Sequence, residues 1–338
     1  MLNKVERVDM FNIGLMLVSF ALAYILPFEL FLFAYAVMGP LHYLTEMGWL
    51  KEKGFFTKGK YDYIVLSCIV VCITLGFFNF NSWFKDAASN FIYLGFAAAC
   101  FMAFIKDTTI KAIALIFSVF SILVVSRWDA YETLFAIYLP TIIHVFVFTG
   151  IFMLFGALKN KSKTGLIAVT LLPLLGSIFF LLPSKGNILA SDDYIINSYG
   201  GFAELNRNII NLSGLLELKP FSALTAEENF NAIFRSDIGF TVMRFVAFAY
   251  TYHYLNWFSK TSVIKWHQVP KIQLWSVIGI WLCSVALYLY DYSVGLKWLF
   301  LLSFLHVLLE FPLNFVSFSG VLKETFALFT QRTGAKHT

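Results

Sequence analysis

ETLFAIYLPTIIHVFVFTGIFMLFGA, residues 132–157, opens on one acidic side chain and then runs to Ala157 with no further charge. About 20 apolar residues in helical form cross a hydrocarbon core of roughly 30 Å. The stretch therefore reads as a membrane-spanning helix with His144 near its middle. Similar runs recur at about 11–26, 28–48, 62–80, 91–105, 110–126, 165–183, 238–258, 272–290 and 296–319. The break at Pro27 and Glu29 is the shortest, and the two spans beside it could instead form one kinked hairpin. Across all 338 residues the chain is 59% hydrophobic, 19% aromatic and 13% charged, whereas soluble domains carry about 25% charged residues. A water-soluble enzyme is excluded. The predicted fold class is all-α, a polytopic integral membrane helical bundle of about ten transmembrane helices, forming a single transmembrane domain over 1–338.

Cytoplasmic loops should hold the excess of Lys and Arg. With the N-terminus inside, the charges at Lys4 and Arg7, Lys51 to Lys60, Lys106 and Lys111, Lys159 to Lys163, Lys260 to Lys271 and Lys323 to Lys336 fall on the cytoplasmic side. That places 17 of the 25 basic residues inside and 7 outside, with Arg244 within a span. The asymmetry predicts both termini cytoplasmic and, for a bacterial chain, residence in the inner membrane. The net charge of +5 follows from this topology and implies no nucleic-acid partner. The N-terminal run continues into further apolar sequence, so it reads as a retained first helix rather than a cleaved signal. Cys68, Cys72, Cys100 and Cys283 all lie in apolar runs and read as packing residues.

The external segment at about 184–237 is too long for a plain connection and reads as a lid over the bundle. Leu205, Ile209, Leu212 and Leu216 stand at helical spacing, as in an interfacial amphipathic helix. Thr225 with Glu228 three residues on has the form of a capping box. Asn211-Leu212-Ser213 matches a glycosylation acceptor.

Ionisable residues within spans are costly and so are the first candidates for function. His267 falls in a loop and His337 in the tail, which leaves His42, His144, His253 and His306 in the second, sixth, eighth and tenth spans. These spans run in one direction, so the four imidazoles can share a depth. Two of them repeat a pattern: Leu41-His42-Tyr43-Leu44-Thr45-Glu46 and Leu305-His306-Val307-Leu308-Leu309-Glu310. At i and i+4 the imidazole and the carboxylate share a helix face. Glu46 and Glu310 could accept the outer N–H of a metal-bound histidine, bind the metal, or relay protons. Any one intramembrane histidine is commonly an interhelical hydrogen bond, but four on co-directional spans point to a shared site. Imidazole suits iron, zinc and copper, and four histidines on an octahedral metal leave two positions for O2 and substrate. The expected centre is Fe(II), with O2 as co-substrate and a lipophilic molecule entering from the membrane lipids. Tyr43, Tyr252 and Tyr254 would shape the substrate slot. No HxxxH or HxxHH box of the diiron desaturases is present.

Around Pro40-Leu41-His42 with Glu46, Ile142-Ile143-His144, Tyr252-His253, and His306 with Glu310, the chain resembles the Brp/Blh family of microbial β-carotene 15,15′-dioxygenases. The likeness covers four short windows in order. It implies a non-haem iron oxygenase that cleaves the central double bond of a carotenoid. The chain departs from that family at Tyr43, where the family has Gly, and at Val145-Phe146-Val147-Phe148, where it has a carboxylate. It departs again at Trp257, where the family's third window has a second histidine. The alternative reading is a proton-coupled transporter in which the intramembrane His, Glu and Arg244 form a relay. There Arg244 pairs with substrate, or else snorkels to the outer interface. A third reading is a haem-binding subunit with histidine axial ligands.

Overall fold

The computed structural model describes residues 4–181, 193–213, 224–260 and 269–334, and every regular element among them is helical. Among the described residues six helices are long and apolar enough to cross a membrane: Val5–Ile25, Thr108–Val125, Thr133–Lys159, Lys163–Leu181, Lys271–Tyr290 and Tyr292–Leu328. Asp62–Phe77 and Ala88–Phe104 are apolar but shorter. The chain is thus a helical protein with the features of an integral membrane protein. Lys163–Leu181 carries Pro173 and Tyr292–Gly334 carries Pro312 within an otherwise helical run. Four cysteines are free thiols, Cys68, Cys72, Cys100 and Cys283.

The uncertain break at Pro27 is a single non-helical residue. Leu26 has φ −129° and ψ 60°, Pro27 opens the next helix where its missing N–H costs nothing, and Leu26 and Leu30 keep i to i−4 hydrogen bonds across the break. A second one-residue break, at Asp291, is held by its side chain, whose Oδ1 accepts from the Val294 N–H at 2.8 Å.

Two stretches widen into π-helix, Ala34–Met38 and Thr133–Phe148. Each meets a proline, Pro40 just after the first and Pro140 within the second. A proline cannot donate to the preceding turn and its ring crowds the carbonyl four residues back, so the turn opens. The Thr141 hydroxyl donates back to the Ile137 carbonyl in the widened turn. Two of the four candidate histidines, His42 and His144, sit within four residues of these prolines.

The chain divides into two compact units. One comprises Met1–Glu6, Tyr43–Ile167 and Leu299–Thr338, and the other Arg7–His42 and Ala168–Trp298. In the first, Ala88–Phe104 packs against Asp62–Phe77 and Thr108–Val125. Lipid is as apolar as leucine, so close approach through small residues carries much of the packing between membrane helices. Gly95 provides it: a Cβ there would lie 2.6 Å from Leu308 Cδ2. Ala98 and Ala99 on the same helix are fully buried. At one end of this unit the buried Lys111 ammonium donates to both carboxylate oxygens of Asp62, at 2.7 and 2.9 Å, and Asp62 also accepts from the Gly59 N–H at 2.8 Å.

In the second unit Asp237–Ser259 is the central helix, buried along nearly its whole length. It packs against Pro27–Phe33 and Ala34–Met38, and aromatic rings fill the contact: Phe31 meets Tyr199, Phe202 and Tyr250 edge-on at 5.5, 4.8 and 5.1 Å. Edge-to-face contacts of this kind add to the area buried. Among the described residues of the long segment 184–237, the α-helices Asp193–Tyr199, Ala203–Ser213 and Ala226–Phe234 belong to this unit and pack on Pro27–Phe33 and Asp237–Ser259. Its capping box is formed, with Thr225 N–H donating to Glu228 Oε2 at 2.7 Å and Glu228 N–H to Thr225 Oγ1 at 3.2 Å.

The apolar stripe expected on Ala203–Ser213 is rotated. Leu205 and Ile209 are buried as expected, but Leu212 is 74% exposed, and Asn206 and Ile210 are buried in its place. The buried face centres on residues 206, 209 and 210 because Asn206 has polar partners inside: its Oδ1 accepts from the Tyr199 hydroxyl at 2.6 Å and its Nδ2 faces Met243 Sδ at 3.9 Å. Leu216 lies outside the described residues, as do His267 and His337.

Candidate metal centre

All four candidate histidines are buried: His42 is 1% exposed, His144 2%, His253 7% and His306 2%. His144 and His306 lie on helices long and apolar enough to cross a membrane, whereas the helices of His42 and His253 are not among those six. Burial of an imidazole among apolar side chains is costly unless its nitrogens are used.

In the second unit, His42 from Gly39–Glu52 meets the face of Asp237–Ser259 formed by positions 253, 254, 257 and 258. The Nε2 atoms of His42 and His253 are 3.1 Å apart, and the rings meet edge-on at 4.7 Å. Tyr254, Trp257 and Phe258 surround His42 at 5.2, 5.6 and 6.5 Å between ring centres. The i, i+1, i+4, i+5 spacing is that of one helical face, which explains why position 257 matters although it is no ligand: its indole packs edge-on against His42.

In the first unit, His144, His306 and Glu310 offer ligand atoms that all lie within 4.8 Å of one another. The rings of His144 and His306 meet at 5.2 Å. His306 Nδ1–H donates to the Ser303 carbonyl at 2.5 Å, one turn back on its own helix. That bond fixes the tautomer and leaves Nε2 with the lone pair, as a metal-binding imidazole requires. Tyr43 stacks on the His306 ring at 4.2 Å with an interplanar angle of 21°.

The carboxylates are resolved differently from their identical spacing. Glu310 Oε2 lies 3.3 Å from Nδ1 of His144, a histidine of another helix, so the motif that joins His306 to Glu310 in sequence delivers the carboxylate to His144. Glu46 is buried, 3% exposed. It is not a member of the His144–His306–Glu310 group.

Of the three tyrosines expected to shape a slot, Tyr43 and Tyr254 lie against histidines. Tyr252 is engaged by Phe248, with rings parallel at 6.2 Å, and its hydroxyl accepts from Asn256 Nδ2 at 3.2 Å. Arg244 is not snorkelled to an interface. It is 2% exposed, its Nε donates to the Tyr24 carbonyl at 3.0 Å, and its guanidinium lies 4.4 Å over the Tyr24 ring. Ser303 and Phe258 give no sequence signal for these contacts, and Trp257, which in sequence marks only an absent ligand, packs against His42. Ser303 stands one turn before His306, but a backbone carbonyl leaves no side-chain signal.

The donor set fits a first-row metal. Two nitrogen ligands at about 2.1 Å and at right angles stand about 3.0 Å apart, close to the 3.1 Å between His42 and His253. No protein-family model, curated protein or solved structure matches this chain.

Proposed function

We propose that this chain is a membrane-embedded non-haem iron oxygenase with His42, His144, His253 and His306 as ligands, acting with O2 on a lipophilic molecule drawn from the bilayer. One observation supports the reading above others: each of the four candidate histidines is buried and paired with another of the four, His42 with His253 and His144 with His306. Lone structural histidines would each be satisfied by a different partner.

His42, His144, His253 and His306 would hold the iron, whose chemistry when bound would be activation of O2. The residues of the chain do the rest. The Ser303 carbonyl holds His306 in one tautomer, and Glu310 beside His144 Nδ1 favours the Nδ1–H form and raises the basicity of that ring. Tyr43 and Trp257 clamp the imidazoles by stacking and edge contact, and Phe258 beside His42 adds an apolar wall. The resemblance to the Brp/Blh family makes a carotenoid or other polyene the substrate class of choice, with Glu46 in a supporting role like that of Glu310. The accompanying topology is ten spans with both termini cytoplasmic and, for a bacterial chain, residence in the inner membrane.

Metal analysis of the purified chain tests this. About one iron per chain without haem absorbance is expected, and Ala at any of the four histidines should remove most of it, while His267→Ala and His337→Ala should leave it bound. Haem absorbance would favour a haem-binding subunit. Metal-free protein would favour the proton-coupled carrier and end the oxygenase reading.

A further inference from the structure

Lys58, Lys159 and Lys323 come from three distant parts of the sequence, and all three line one cavity of about 380 Å3 in the first unit. Glu324 is the carboxylate in its lining, so cations outnumber it three to one. The rest of the wall is largely apolar, including Phe104, Phe155 and Val316. Packing fixes these parts in place. The Lys58 N–H donates to the Met102 carbonyl at 2.8 Å, which ties its loop to the end of Ala88–Phe104. Lys159 closes the Thr133–Lys159 run with its ammonium 5.6 Å over the Phe155 ring. Gly320, one turn before Lys323, admits that ring: a Cβ at 320 would fall 2.3 Å from Phe155 Cε2. Asp62, the acidic side chain nearest in sequence to Lys58, is occupied by Lys111.

Three ammonium groups around an opening with an aromatic and aliphatic wall suit a ligand with an anionic head and an apolar body. A small hydrated ion would gain nothing from Phe104, Phe155 and Val316. All three lysines lie on the side that the charge pattern assigns to the cytoplasm, where the leaflet is anionic and each nearby lysine strengthens attraction to it. We propose that this cavity binds a phosphate group carried by an anionic phospholipid, the phosphate among Lys58, Lys159 and Lys323 and the acyl chains along Phe155 and its neighbours. This site is independent of the histidines and of any oxygenase activity.

The test is native mass spectrometry of the full chain in detergent with equal, low concentrations of dioleoyl phosphatidylglycerol and dioleoyl phosphatidylcholine. The wild type should retain one phosphatidylglycerol in clear preference to phosphatidylcholine. Affinity should fall about fivefold for each lysine replaced, and Lys58→Gln/Lys159→Gln/Lys323→Gln should show no preference. All three lysines are exposed, and of the three only Lys159 has a ring contact, with Phe155, so Lys58→Gln and Lys323→Gln, singly and together, give the graded series if the triple variant is poorly produced. Millimolar inorganic phosphate in place of lipid separates the two sources of the chemistry. Protection of the wild type but not the variant against heat by phosphate alone assigns a soluble phosphate, and protection by phosphatidylglycerol alone assigns the lipid. Equal phosphatidylglycerol retention by wild type and triple variant, or no preference in the wild type, overturns the proposal.

Discussion

Replacing Glu310 with Gln separates a carboxylate that tunes a metal ligand from one that is merely buried. Its Oε2 stands 3.3 Å from His144 Nδ1. A full charge interacting over that distance at an effective dielectric constant of about 20 gives an upper bound of about 5 kcal/mol. Burial of the carboxylate offsets much of this, and the glutamine keeps an oxygen of similar size beside Nδ1. What is lost is the charge that makes the imidazole a better donor to metal. Iron affinity should therefore fall by about 10 to 100-fold, equivalent to about 1.4–2.7 kcal/mol and below the electrostatic bound. The assay is iron retention across a series of chelator concentrations, with the protein in lipid discs and O2 consumption followed in parallel with a polyene present. Because Glu310 acts through His144, its substitution should change retention by less than about twofold once His144 is already Ala, the non-additivity expected of groups in contact. Wild-type affinity in Glu310→Gln, or an unchanged effect in the His144→Ala background, would refute the assignment.

Asp62→Ala should destabilise the protein by about 3 kcal/mol in detergent, because it leaves the buried Lys111 ammonium without its carboxylate and the Gly59 N–H without its acceptor. Asp62→Ala/Lys111→Met should recover most of the loss, and a double variant no more stable than the single one would show that the ion pair is not the cause. For the topology, a cysteine placed at Asp193 should react with an impermeant reagent added outside the cell and one at Lys58 should not, and the reverse pattern would invert the orientation.

Local sequence carried the helical class, because a run of apolar residues long enough to cross a bilayer can satisfy its backbone only by forming a helix. The breaks at Pro27 and at Asp291 and the capping box at Thr225 were legible for the same reason, since caps and prolines act within one turn. The four candidate histidines were legible as costly residues in apolar surroundings. Partnership was not. His42 and His253 are 211 residues apart in sequence, and nothing local says that the Nε2 of one will meet the other rather than a carbonyl. The repeated His-x-x-x-Glu spacing suggested that each carboxylate serves its own histidine. Tertiary packing gave Glu310 to His144 instead, because a side chain at i+4 can lean toward its own helix or across to a neighbour, and which it does depends on the approach of that neighbour. Widened turns beside Pro40 and Pro140 set that approach by rotating everything that follows them, a change of phase that the 3.6-residue period cannot register. The buried face of Ala203–Ser213 shifted for a related reason. Periodicity ranks leucine above asparagine, but Asn206 found a tyrosine hydroxyl inside the fold and Leu212 found no wall to pack on.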